Sequence, residues 1–544
     1  MWLWRIPVRV PKVQGADALI SQAKGQSNAR MPIFFILIVS FLALQSQAAL
    51  GGLAFLRFVC RMQKEKQESR DHVMTMDSLA NLVSQISDFV WNGLLLYLLV
   101  GTGIIFSFRT RFVQVRKFGA GFKRLFGSVN LNGEKADHEG MSSFQAVTTA
   151  IAAQVGTGNI TGCATALFSG GPGAIFWMWL SAFFGMSTIY GEAVLAQKYK
   201  TKDENGHVTG GPIYYIRAIF KGKFGKFLAG FFSIAIIFAL GFTGNMVQAN
   251  SISDAFSTAF HIPKWVIGIV IAAVAGFIFL GGIRRIASFT EKIVPIMAVF
   301  YVVGCVIILI INHAALLGAI KSIFVCAFNP QAILGGAVGI SVREAMRYGV
   351  ARGLFSNEAG MGSTPHAHAL AKVKNPEDQG MVAMISVFID TFVVLTLTAL
   401  VILSSGMLQP GVDGAPQGTQ LAQAAFSSAF GSFGNIFVAI CMLFFAFSTI
   451  IGWYFFGEVN FKAMFGAKAV KVYAVIVVIC VMIGSLLKVN LVWNLSDLFN
   501  ALMVFPNLIA LLALSGVVAK VCREADRRHR EEKAAQKDAD SSNS

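Results

Sequence analysis

The sequence predicts an all-α, polytopic membrane protein of about eleven spans, and three observations predict it. Hydrophobic residues make up 55% of the 544-residue chain and charged residues 13%, roughly half the ~25% charged share of soluble proteins. Mean hydropathy is +0.64. Apolar runs near the ~20 residues that a spanning helix needs recur along the chain, and Lys and Arg gather in alternate connections between them.

Eleven runs are legible: 86–107, 143–168, 172–198, 228–257, 263–283, 289–312, 331–350, 380–407, 430–457, 472–488 and 490–519. The 108–141 connection after the first run carries Arg109, Arg111, Arg116, Lys117, Lys123, Arg124 and Lys135. Residues 198–226 carry seven more, Lys198 to Lys226; Arg284 and Arg285 follow the fifth run, Arg343 to Lys374 the seventh, and Lys462, Lys468 and Lys471 the ninth. The intervening connections are poor in both, and 408–430 has neither. With eleven spans drawn, every basic connection falls on one side, so the first span starts outside and the C-terminus is cytoplasmic. The formal charge of +17 is then topology rather than nucleic-acid affinity, and no basic–aromatic surface pattern accompanies it. Residues 521–544 read as a charged, disordered cytoplasmic tail.

The first 76 residues break this pattern. Residues 32–56 are apolar, but Arg30 flanks one end and Arg57, Arg61, Lys64, Lys66 and Arg70 the other. A twelfth span, an uncleaved anchor and a mis-assigned start at Met74 or Met76 are the readings, the last favoured. The membrane domain is then 77–520. The seven cysteines, Cys60, Cys163, Cys305, Cys326, Cys441, Cys480 and Cys522, form no CxxC pair. They read as apolar fillers rather than a disulfide or zinc framework. Neither a P-loop nor a nucleotide fingerprint is present, so the chain reads as no enzyme and needs no cofactor.

The second run is weakened at its middle by Gln154, Gly156, Thr157, Gly158 and Asn159. Glycine costs a helix ~1 kcal/mol relative to alanine, and broken helices occur at membrane depth only where they line a cavity or lie buried in protein. Exposed N–H groups of a half-helix bind a carboxylate, and unwound carbonyls coordinate a cation. Gly162 and Gly173 read instead as close-packing positions. A second glycine-broken span, at Gly335, Gly336 and Gly339, lies five spans on; paired interrupted helices in corresponding halves point to a secondary-transporter site. Asp390, Glu192 and Asp497 are acids inside apolar runs, where such groups are functional candidates by default. Asp390 reads as a coupling group or as part of a structural network. In "SNEAGMGSTP", Ser356 resembles an N-cap, the glycines suggest a hinge, and no ligand is assigned. His366 and His368 read as a solvated loop.

"QVGTGNITGCATALFSGGPGAIFWMWLSAFFGMSTIYGEAVLAQKYK", "GGPIYYI", "GNMVQANS", "LFSNEAGMGSTP", "FIDTFVV", "FAFSTIIGWYFFGE" and "VWNLSDLFNALMVFPNLIALLALSGVV" occur in order between about Met76 and Lys520. They closely resemble the alanine or glycine:cation symporter family. The resemblance implies a leucine-transporter-like fold: two inverted five-helix repeats, about 143–312 and 331–519, after one extra helix. It implies sodium-coupled uptake of alanine or glycine across the inner or plasma membrane. On that fold 143–168, 228–257, 331–350 and 430–457 are the first, third, sixth and eighth core helices. The amides around Gly156–Gly158 would receive the substrate carboxylate, and the break near Gly335–Gly339 would face its amino group. Gln154, Thr157, Asn159, Gln248, Thr449 and Trp453 would bound the pocket. Sodium would sit between the carbonyls of Ala152 and Val155 and the hydroxyls of Ser448 and Thr449. Without the resemblance, those hydroxyls read as back-bonded to the preceding turn, and Trp453 as packing or an interfacial belt. The partners are thus a small amino acid, sodium and the bilayer. A proton-coupled carrier working through Asp390 and a non-transporting sensor are the alternatives.

Overall fold

The computed structural model describes residues 83, 85–87, 89–91, 95–127, 140–331, 340–412, 414–487 and 489–542. The expected N-terminal extension and the Gly335–Gly339 interruption lie outside the described residues.

Helix α1 (Leu96–Arg109) is followed by the amphipathic α2 (Phe118–Gly127). The second run is two helices, α3 (Ser143–Gln154) and α4 (Cys163–Gly170), the latter entered through a π-helical turn at Gly158–Gly162. Ser142 and Gln145 start α3 as a reciprocal capping box, which satisfies two otherwise orphaned N–H groups. The 26-residue α5 (Gly173–Lys198) turns back beside them. Gly171, at φ 70°, makes that turn, and Gly173 allows close packing on Cys326, whose backbone a Cβ there would strike.

The third core helix is α6 (Gly222–Ile236) continued through a π-helical segment, Ile237–Gly244, into α7 (Asn245–Phe260). Then come α8 (Lys264–Phe279) and α9 (Gly282–Ile311). An apolar helix, α10 (His313–Phe328), follows at once; the hydropathy reading had left this stretch unassigned. The second half contains α11 (Val342–Asn357), the short α12 (Pro365–Ala369), α13 (Pro376–Val387), a π-helical segment Phe388–Leu395 and α14 (Thr396–Ser404). It closes with α15 (Gly418–Phe430), α16 (Ser432–Phe465), α17 (Val470–Gly484) and α18 (Val489–Ser542).

Among the described residues, seven continuous helices are long and apolar enough to cross a membrane; three shorter apolar helices are α1, α8 and α10. The second run is not among the seven because it is interrupted. Large apolar side chains on α8, α9 and α17 face outward, among them Phe277, Ile310 and Val475. Lipid tails are the natural cover for such a surface.

One expectation is corrected here. The tail is not irregular: α18 runs on to Ser542. Its charges pair at helical spacing, Lys520 with Glu524 and Arg527 with Glu531, and Asp526 turns inward to Arg116 and Lys117. Among the described residues there is one two-stranded hairpin, Thr201–Lys202 against Val208–Thr209, which leaves the all-α class unchanged. Six cysteines are free thiols, five of them buried and Cys480 partly so, and Cys60 lies outside the described residues.

Candidate functional site

The chain unwinds at Val155 and Gly156, where ψ of Val155 is 88° rather than helical. The last carbonyls of a helix have no partner further along the chain. Here they turn to α16. Thr449 Oγ1 lies 2.8 Å from the Ala152 oxygen, 3.3 Å from that of Ala153 and 3.5 Å from that of Val155. Ser448 Oγ is 3.4 Å from the Ala152 oxygen. Both hydroxyls also bond back to the Phe445 carbonyl, at 2.9 and 3.1 Å, so the packing reading and the ion reading describe the same atoms. A cation entering this cluster needs only hydroxyl rotation to meet oxygen lone pairs.

The other side of the break is equally specific. The Gly156 amide donates to Asn159 Oδ1 at 3.0 Å, and the Thr157 amide to Gln248 Oε1 on α7 at 3.1 Å. Gln154 Nε2 donates to the Asn357 carbonyl at 2.8 Å, spanning from α3 to the end of α11. Thr157 Oγ1, Gln154 Oε1 and Gln248 Nε2 are buried with no hydrogen-bond partner among the described residues. Buried polar atoms are seldom left so. Three of them lie around one unwound turn.

A second unwound segment faces the first. Helix α11 ends at Asn357, Glu358 adopts the left-handed conformation (φ 57°), and the chain stays irregular to Thr364 before Pro365 opens α12. Gly360 and Gly362 have φ of 91° and 82°, which glycine adopts without penalty. Gly158 lies so near the end of α11 that a Cβ there would sit 3.0 Å from Ser356 Cα. The interruption opposite Gly156–Asn159 is therefore "NEAGMGS", and Ser356 is a residue of the last turn of α11 rather than an N-cap. The N-cap of α11 is Ser341, paired with Glu344 in a capping box.

Glu192 on α5 holds this segment. Its carboxylate accepts the Gly360 and Gly362 amides at 3.0 and 2.9 Å and Asn507 Nδ2 of α18 at 2.7 Å. Glu192→Gln puts an amide N–H against one of these donors. That change should cost about 2 kcal/mol, lower the thermal midpoint and cut uptake at least tenfold; a variant with wild-type melting and uptake contradicts the clamp.

Asp390 lies in the π-helical segment after α13 and is fully buried. It accepts Asn159 Nδ2 at 2.7 Å, Ser356 Oγ at 2.9 Å and Thr391 Oγ1 at 2.9 Å. Glu358, also fully buried, accepts from Ser363 Oγ and from Trp453 Nε1. Trp453 is thus neither a belt residue nor mere packing. Its indole crosses Phe355 edge-on at 5.5 Å and lies against Gly244, where a Cβ would come within 2.6 Å of the ring. No Lys or Arg pairs with Glu192, Glu358 or Asp390 among the described residues. Three buried acids without a cation surround two unwound segments.

The remaining candidates are structural. Asp497 forms a two-pronged pair with Arg352, at 2.9 and 2.5 Å, over the Trp493 ring. His366 and His368 are buried, not solvated: His366 contacts the Ser363 carbonyl at 2.6 Å and Asn460 Nδ2 at 2.8 Å, and His368 contacts Gln379 at 2.8 Å. Two members of the site escaped the sequence reading. Glu358 had a signal in a polar residue ending a helix before G-x-G and Pro; Asn507 had none.

A family model described as the sodium:alanine symporter family matches residues 76–539. The chain is similar to the sodium/alanine symporter AgcS of Methanococcus maripaludis, 42% identical over 440 residues, covering 80% of this chain and 95% of that one. It is similar to an uncharacterized transporter of Haemophilus influenzae, 41% identical over 454 residues, covering 83% and 96%. Among solved structures it resembles MhsT in complex with L-phenylalanine, with a TM-score of 0.50 and 13% identity, over 72% of this chain and 99% of that one. The last likeness speaks to the fold, which is of the leucine-transporter type.

Proposed function

The chain belongs to the sodium:alanine symporter family, and on that premise we propose that it carries alanine or glycine into the cell with sodium by alternating access. It is a multi-pass membrane transporter, not an enzyme. The observation that carries the proposal is the facing pair of unwound segments, with Thr157, Gln154 and Gln248 presenting unpartnered polar atoms between them. In this reading the amides at Gly156–Gly158 take the substrate carboxylate. Sodium takes the carbonyls of Ala152 and Val155 and the hydroxyls of Ser448 and Thr449, an all-oxygen set suited to a hard cation. Glu358 and the irregular backbone around it lie toward the substrate's amino group. The C-terminus is cytoplasmic, and the gradient and membrane potential, the latter worth about 2.3 kcal/mol per charge per 100 mV, drive entry.

Because sodium and the first unwound segment share carbonyls, each ligand should tighten the other by the same factor. Calorimetric binding of alanine with and without sodium, and of sodium with and without alanine, tests this. Two independent affinities contradict symport through this site, as does undiminished uptake in sodium-free buffer.

Trp453 supports the small substrate, since its bulk leaves room for a methyl group or a hydrogen. Trp453→Ala should weaken alanine uptake tenfold or more and let leucine compete, which it should not do in the wild type. Unchanged selectivity places the indole outside the pocket.

A further inference from the structure

Helix α2 has two working faces. Its inner face, Gly121 and Leu125, packs on α13, with Gly121 so close that a Cβ would lie 2.8 Å from the Met381 carbonyl. Arg124 pairs with Asp378 at 2.6 Å. Just before the helix, Lys117 pairs with Glu377 and, at 2.7 Å, with Asp526. Phe118 meets Phe388 edge-on at 4.8 Å, in the segment that also carries Asp390. The outer face is an open, shallow groove along this single helix, lined by Phe118, Gly119, Phe122, Lys123, Phe126 and Gly127. Phe122 and Phe126 are 44% and 51% exposed, with centroids 4.4 Å apart. Lys123 is exposed and, unlike Arg124, has no carboxylate partner among the described residues.

We propose that this groove is a binding site for one anionic phospholipid, and that its occupancy sets the transport rate. An acyl chain lies along the phenylalanine rings where Gly119 and Gly127 leave space. The phosphate meets the Lys123 ammonium. Charge complementarity selects the occupant: an aromatic floor with a lone ammonium at its rim suits an anionic headgroup on an apolar tail, the pairing interfacial helices use. The opposite face carries the effect inward, because α2 is bolted by ions and by Gly121 to the helix that leads to Asp390.

Full-length protein should retain one phosphatidylglycerol in native mass spectrometry under conditions that strip phosphatidylcholine. In vesicles of 3:1 phosphatidylcholine to phosphatidylglycerol, alanine uptake should run several-fold faster than in phosphatidylcholine alone. Lys123→Gln should lose both the retained lipid and the acceleration while keeping the phosphatidylcholine rate; Phe122→Ser with Phe126→Ser should lose the lipid as well. Retention of phosphatidylglycerol by either variant overturns the site. So does equal retention of both lipids by the wild type, or a dimer that the double phenylalanine variant splits, since a second copy would then be the occupant. Specific lipid retention lost in Lys123→Gln, in a protein that transports nothing, upholds the lipid site and sinks the transport reading alone.

Discussion

Gly156→Ala should fold, reach the membrane and lose at least 99% of sodium-driven uptake. The added methyl has nowhere to go: an ideal Cβ at Gly156 runs into Thr449 Oγ1 and lies 3.1 Å from Gln248 Oε1. Overpacking of this kind costs ~1–3 kcal/mol, within what a large helical bundle tolerates. The relief available is specific, however. Thr449 must swing away from the carbonyls of Ala152, Ala153 and Val155, or Gln248 must release the Thr157 amide. The first movement dismantles the proposed sodium ligands, and the second displaces a side chain that bounds the proposed substrate pocket. Gly162→Ala is the matched control: six residues on, in the same interrupted helix, the nearest atom to a new Cβ is 3.8 Å away. It should transport near wild-type rates. Concentrative uptake in proteoliposomes decides the pair. Equal losses in both variants attribute the effect to helix propensity, and no loss in Gly156→Ala removes Gly156 from the site.

The same contrast explains what the sequence could reveal. Gly156 stood out because polar residues cluster on it, and polarity at a glycine inside an apolar run has few structural uses. Ser448 and Thr449 came to notice through the family resemblance; Thr449 Oγ1 lies near the Ala152 and Val155 oxygens and Ser448 Oγ near that of Ala152. The fold class followed from hydropathy and from the side on which Lys and Arg fall. The second interruption was less legible. Gly335–Gly339 lies outside the described residues, and the described segment near Gly156 relies on Gly360 and Gly362, whose positive φ is a property of backbone geometry. Its anchor is also remote. Glu192 and Asn507 reach Gly360 from 168 and 147 residues away, and no local pattern encodes such a meeting. Tail disorder was inferred from charge alone; spacing mattered more, because Lys520–Glu524 and Arg527–Glu531 are helical neighbours.

Asp390→Asn isolates charge from shape. The asparagine is isosteric, and its neighbours can accept it. Its carbonyl oxygen can keep the Asn159 amide, now 2.7 Å from Oδ1, while the hydroxyls of Ser356 and Thr391 rotate from donors to acceptors of its new N–H. The fold should therefore survive with an unchanged elution profile. What disappears is the carboxylate, and with it the negative charge that its ionised form carries in the centre of the protein. At an effective dielectric near 20, a unit charge about 4 Å away contributes about 4 kcal/mol before desolvation, so a loss of more than a hundredfold in sodium-driven uptake is expected if Asp390 balances the transported cation. Thr391→Val, which removes one neutral donor and leaves the charge, should lose tenfold at most. Uptake of both variants measured in sodium buffer and in sodium-free buffer from pH 5.5 to 8.5 separates the outcomes. Retained sodium-dependent uptake in Asp390→Asn makes the aspartate a structural tie between the two interrupted helices. Wild-type uptake that persists without sodium, rises as pH falls and vanishes in Asp390→Asn makes it a proton carrier instead. Loss of sodium-driven uptake in Asp390→Asn alone, with Thr391→Val near wild type, leaves cation balance as the reading, because the isostere keeps the shape and the number of hydrogen bonds while removing the charge.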